Sequence, residues 1–147
     1  MRSRVVLADD DGLLLGLLER ILEQDFDIVA TATDGKTLID DILRLSPDVA
    51  VTDISMPVLN GLDALRMVNR DGCLTKFVVC TANPDMTLAA EALRLGAAGY
   101  VLKQHACAEL KIAIRTVLDG HTYFDPQIPD HVLENLVVGV TQDCAGD

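Results

Sequence analysis

The chain has 147 residues, half of them hydrophobic but only 3% aromatic, and a formal net charge of −11. That length suits one domain with a single core, and the composition requires that core to be built from Leu, Val, Ala and Ile. The acidic balance argues against gripping nucleic acid directly, because phosphate contacts need a basic footprint. It suits a basic protein partner or a bound divalent cation instead.

The N-terminal segment Arg4–Ala8 is short, apolar and β-branched, and reads as a strand cut off by Asp9-Asp10-Asp11. That interruption does not fit the apolar stretch of a signal peptide, so none is expected. The leucine cluster from Leu13 to Leu18 is far shorter than the ~20 residues of a membrane span. The expectation is a cytoplasmic protein without membrane contact. Cys73, Cys80, Cys107 and Cys144 form no C-x-x-C pair and no zinc spacing with histidine, so they are expected to be free thiols.

From Gly12 to Gln24 the spacing predicts a helix whose apolar face is Leu14, Leu17, Leu18, Ile21 and Leu22, with Leu13 and Leu15 as a surplus. Phe26 to Thr33 reads as a strand, Asp34-Gly35 as a turn and Lys36 to Leu45 as a helix. Pro47 ends that helix and leads into the strand Val49-Ala50-Val51, which is apolar throughout, as a strand buried on both faces should be. The strand stops at Asp53. Met56-Pro57 and Asn60-Gly61 then mark a loop. A helix over Leu62–Asn69, a strand over Lys76–Cys80 and a helix over Met86–Leu95 follow, the last stopped by Gly96. Gly99–Leu102 is a strand, and Ala106–Leu118 a helix that ends at Gly120.

Strict β-α alternation predicts a doubly wound α/β fold, a five-stranded parallel sheet with helices on both faces. Residues 1–122 are expected to form this domain, and 123–147 a C-terminal extension. In that extension Tyr123–Pro126 is an extended exit, and a short helix from Pro129 to Leu136 is the expectation.

The chemistry lies at the strand ends. The first strand ends in the acid cluster Asp9-Asp10-Asp11, the third in Asp53, the fourth in Thr81 and the fifth in Lys103. Taken singly, each has an ordinary explanation: Asp after a strand commonly caps a helix, Thr favours strands, and a strand-end Lys is commonly solvated. In the common strand order 2-1-3-4-5, however, the ligand crevice lies between strands 1 and 3. That order brings Asp9, Asp10 and Asp53 together. Crowded carboxylates repel and require a cation. Lys103 is one candidate and a hard divalent ion, Mg²⁺ or Mn²⁺, the other, with the backbone carbonyl of Ser55 turned toward the same ion. A metal-backed carboxylate can act as a nucleophile toward phosphorus, with Lys103 and Thr81 taking up phosphoryl oxygens.

With those residues in hand, the chain resembles the receiver domain of two-component response regulators, a flavodoxin-like fold. The resemblance rests on Asp9-Asp10, on Asp53 within D-I-S-M-P-x-x-x-G, on Thr81-Ala82 and on Gly99-Tyr100-Val101-Leu102-Lys103, in that order. It implies that Asp53 accepts a phosphoryl group from a sensor histidine kinase and that Asp10 and Asp53 ligate the metal, with Asp9 acting through water. It further implies that Ala82 belongs with Thr81 and Lys103 at the phosphate, that Thr81 and Tyr100 form a switch pair in which the ring turns inward, and that Ser55 and Asn83 tune hydrolysis. Asp34-Gly35-Lys36 and Gly120–Phe124 are similar to the NarL/FixJ-type subfamily, in which a helix-turn-helix DNA-binding domain follows and dimerisation on phosphorylation is possible. On this reading the protein is a phosphoacceptor in transcriptional control, not an enzyme beyond its own phosphotransfer and dephosphorylation.

Gln104 stands where many receivers have Pro, and Asp11 where this subfamily often has His. A stand-alone regulator is an alternative. A pocket that binds but no longer signals is another. A third is a phosphatase of the haloacid dehalogenase type, because Asp9-Asp10-Asp11-Gly12 resembles its D-x-D-G start; Leu13 and the loop after Asp53 fit that poorly. His105, His121 and His131 show no acid partner at a telling spacing, so surface or packing roles are expected.

Overall fold

A computed structural model describes residues 2–70, 72–82 and 86–126. In chain order the elements are β1 (Arg4–Ala8), α1 (Gly12–Leu22), β2 (Asp27–Ala32), α2 (Gly35–Leu45), β3 (Val49–Thr52), α3 (Gly61–Arg70), β4 (Lys76–Thr81), α4 (Met86–Arg94), β5 (Gly99–Leu102), a 3₁₀ turn at Lys103–His105, α5 (Ala106–Leu118) and β6 (Tyr123–Phe124). The strands form one sheet in the order β2-β1-β3-β4-β5-β6, and every described pairing is parallel.

Strand alternation divides the core in two. Val6, Ala8, Ala50, Phe77, Val79 and Tyr100 face α2, α3 and α4 through Leu38, Ile42, Leu65, Val68 and Ala92. On the opposite face Val5, Leu7, Val49, Val51, Val78 and Val101 meet Leu18 and Leu22 of α1 and Leu110, Ile114 and Val117 of α5. Both faces of β3 are therefore covered, which is why its sequence is apolar without alternation.

Two expectations are corrected here. The buried stripe of α1 is Leu15, Leu18 and Leu22, whereas Leu17 is 49% exposed. With a leucine at nearly every position from 13 to 18, periodicity alone leaves the phase of the helix open. The phase follows from docking on the sheet, with Asp11 as N-cap accepting from the Leu13 and Leu14 amides. The sheet also has six strands, not five. Tyr123 and Phe124 pair with Gly99 and Tyr100, so the extended exit is a short edge strand. Tyr123 Oη donates to Glu109 of α5, which ties that strand to the helix before it. The helix expected from Pro129 lies outside the described residues, as does Asn83. Cys73, Cys80 and Cys107 are free thiols. Among the described residues no helix is long and apolar enough to cross a membrane.

Candidate functional site

The site is built on the carboxyl ends of β1, β3, β4 and β5. Backbone pairing continues one residue past the strands: the Asp9 amide donates to Ala32 at 3.0 Å and the Asp53 amide to Ala8 at 3.0 Å. These two bonds hold the acids side by side at the point where the chain direction through the sheet reverses. Asp9 and Asp53 are 3% and 4% exposed, whereas Asp10 is exposed. One carboxylate oxygen from each of the three lies within 4.8 Å of the others.

Lys103 supplies the opposing charge. Its Nζ stands 2.9 Å from an oxygen of Asp9 and 2.9 Å from one of Asp53. Burial by itself would lower the lysine's pKa, but the hydrogen bonds and charges of the two aspartates outweigh it and hold the ammonium above its ordinary value. Burial pushes the Asp9 carboxyl up, against the Asp11 amide and Lys103, which favour its charged form. The arrangement carries more negative than positive charge, and its donors on the acid side are all hard oxygens, a set that suits a small divalent cation.

The loop after β3 is shaped by close backbone approaches. Gly61 packs so tightly on the Asp53 carbonyl that any side chain there would overlap it, and its amide donates to Ile54 at 2.9 Å. Asn60 caps α3, its side chain accepting from the Asp63 amide at 2.9 Å. The Ser55 amide points back to Asp53 Oδ1 at 3.4 Å. Ser55 is exposed and, with Asp10, Met56, Pro57 and Asn60, lines a cleft of about 510 Å³ beside the acids.

Thr81 ends β4 and is 2% exposed. It pairs in register with Leu102, the residue before Lys103. Ala82 follows it at the surface. The ring of Tyr100 is already inward, 1% exposed, among the residues that face α2, α3 and α4. Asp11 is turned to the first helix as its cap, so the residue at the second acid position of a D-x-D-G start serves the helix. Sequence reasoning missed one pair near the site. His105, in the turn after Lys103, does have an acid partner: its Nδ1 lies 2.9 Å from Asp125, which is 1% exposed. The signal was faint. Asp125 follows Tyr123-Phe124, so it too is an acid at the end of a strand.

The family model of the response regulator receiver domain matches residues 5–115 of this chain. The chain belongs to that family. A receiver of this kind is a phosphorelay signalling module. Among its relatives, the oxygen regulatory protein NreC of Staphylococcus aureus is 34% identical over 145 residues, which is 97% of this chain and 67% of that protein. Of solved structures, a LuxR-family two-component response regulator from Aurantimonas sp. SI85-9A1 superposes with a TM-score of 0.85 at 27% identity, covering 93% of this chain and 99% of that one. The isolated receiver domain of RcsB from Salmonella enterica serovar Typhimurium, solved with the phosphomimetic BeF₃⁻, superposes with a TM-score of 0.78 at 27% identity, covering 92% of this chain and 99% of that one. The receiver assignment replaces the haloacid dehalogenase alternative.

Proposed function

We propose that this receiver takes a phosphoryl group from the phosphohistidine of a sensor kinase onto Asp53 and thereby regulates transcription, as its LuxR-type relatives suggest. The observation that carries the reading is the double ion pair of Lys103 with Asp9 and Asp53, set beside three converging carboxylates. Asp10, Asp53 and the Ser55 carbonyl would hold Mg²⁺ or Mn²⁺, with Asp9 reaching it through water. When bound, the cation supplies neutralising charge for the phosphoryl oxygens.

The chain's own residues do the rest. The Asp53 carboxylate attacks phosphorus in line, a P–O bond forms, the P–N bond of the phosphohistidine breaks, and the kinase imidazole leaves with its electron pair. Lys103 gives up part of its hold on the aspartates to a phosphoryl oxygen. Thr81 would donate its hydroxyl to another, with the Ala82 amide as a further donor. Because Thr81 and Leu102 are partners across β4 and β5, a shift at Thr81 is felt at the strand that carries Tyr100. The buried ring is the conformation that such a shift would stabilise. Ser55 and Asn83 would set the rate at which the acyl phosphate is lost by self-catalysed hydrolysis. Residues 1–122 would act as the receiver, with 123–147 as the segment that communicates the state, in a cytoplasmic protein that can form homodimers once phosphorylated.

Acetyl phosphate with Mg²⁺ should add one phosphoryl group to the protein by mass, and Asp53→Asn should abolish the addition. A wild-type protein that stays unmodified removes the reading.

A further inference from the structure

We propose that Asp125 and His105 are positioning residues for Lys103, a clamp that holds the turn carrying the amine. The inference rests on the reading of Lys103 as the group that meets the phosphoryl oxygen.

The geometry is specific to that turn. One carboxylate oxygen of Asp125 accepts from the amide of Leu102, the residue immediately before Lys103, at 3.1 Å. Both oxygens of the same carboxylate face His105 Nδ1, at 3.1 and 2.9 Å, two residues after Lys103. A single side chain therefore grips the chain on both sides of the lysine. Asp125 is itself fixed. Its amide donates to the Tyr100 carbonyl at 2.8 Å, the two residues before it, Tyr123 and Phe124, pair with Gly99 and Tyr100, and it is 1% exposed.

A clamp is needed here for a physical reason. Lys103 opens a three-residue 3₁₀ turn without a side-chain cap, and such turns are weakly held by their own hydrogen bonds. The following residue is Gln104, so no proline ring restricts the backbone. Yet the amine has to sit within hydrogen-bond reach of two buried carboxylates at the end of a long flexible stem, which makes its Cα position matter. Burying the Asp125 carboxylate carries a large desolvation cost unless it is paired. The Leu102 amide and His105 provide that pairing, and the cost of separating them keeps the turn in register with β5. The same carboxylate lies on the segment by which the chain leaves the sheet, so the exit strand and the phosphate-facing lysine are joined by one residue.

Two readouts on the full chain test the clamp. The first is the rate of phosphoryl uptake from acetyl phosphate at saturating Mg²⁺. The second is the rate at which an N-hydroxysuccinimide ester acylates Lys103 relative to the exposed Lys36, located by peptide mass. Asp125→Ala should slow uptake about tenfold and raise the Lys103-to-Lys36 labelling ratio several-fold, as expected for a displaced reacting group. A merely structural role would lower thermal stability and leave the labelling ratio of the folded protein unchanged. Where Asp125→Ala does not fold, Asp125→Asn and His105→Phe serve. Asp125→Asn keeps an acceptor for Leu102 and should fall closer to wild type than His105→Phe. Folded variants within about twofold of wild type on both readouts overturn the clamp, a margin far smaller than the loss expected of a misplaced group. If wild type takes up no phosphate, the reading of Asp53 fails, and the labelling ratio alone still decides the clamp.

Discussion

The two ends of the parallel sheet use similar residues for different purposes. Six polar or charged residues of the described chain are buried, and Asp9, Thr52, Asp53, Thr81 and Asp125 all lie at or just beyond the carboxyl end of a strand. At the amino end the charged groups stay near water and serve the backbone. The Asp48 side chain accepts from the Arg4 amide at 2.8 Å, Arg4 donates to the Leu45 carbonyl, and Thr75 Oγ1 donates to the Pro47 carbonyl at 2.8 Å. Groups in water that bind backbone are replaceable. Groups out of water that bind one another hold a stored imbalance of charge, which a ligand can relieve.

Breaking the carboxyl end should therefore cost more than breaking the amino end. Gly61→Ala puts a methyl against the Asp53 carbonyl and should destabilise the protein by about 3 kcal/mol, read by denaturant unfolding. Loss of phosphoryl uptake should accompany it, since the loop moves with Asp53. Lys103→Ala leaves Asp9 and Asp53 facing each other and should cost about 2 kcal/mol, less than a fully dry pair because the amine is partly exposed. Added Mg²⁺ should restore part of that loss, as a ligand of the folded state does. If Mg²⁺ has no effect on the variant, the acid cluster is not a cation site. Asp48→Ala at the amino end should cost under about 1 kcal/mol, because the freed Arg4 amide can turn to water.

Acid titration sharpens the same contrast without a mutation. Burial raises the pKa of Asp9. Its contribution to stability is present below the ordinary carboxylate value of 3.8 and is lost as pH rises through the higher folded value. Asp25, between α1 and β2 at the amino end, moves the other way. A hydrogen bond from Lys111 chiefly lowers it, with Lys111 and Arg115 adding their charges. Its stabilisation is present above 3.8 and lost as pH falls through the lower folded value. Carboxyl NMR shifts of the metal-free protein should show Asp9 titrating above Asp25; the reverse order would erase the distinction between the two ends.

Much of the carboxyl end was legible in the chain because parallel strands advertise their ends. An apolar run that gives way to polar residues at Thr52-Asp53, or at Asp9, marks where the strand ends and where a chemically active side chain is placed. Thr81 and Lys103 follow the same rule, and the common order 2-1-3-4-5 of doubly wound sheets brings those ends together. The helix phase of α1 was not legible, because six residues from 13 to 18 offer leucine at every position but one. The pair His105–Asp125 was not legible either, since partners twenty residues apart meet only when a two-residue strand joins the sheet.

Local order thus determined the strands, the helices and the identity of the groups at the strand ends, since each depends on periodicity and punctuation within a few residues. Only the tertiary fold decided which leucines of α1 face inward, that Tyr123 and Phe124 extend the sheet, that the Tyr100 ring is enclosed, and which histidine meets an acid. Those outcomes depend on which surfaces remain to be covered after the sheet has formed, and that is a property of the assembled layers rather than of any segment.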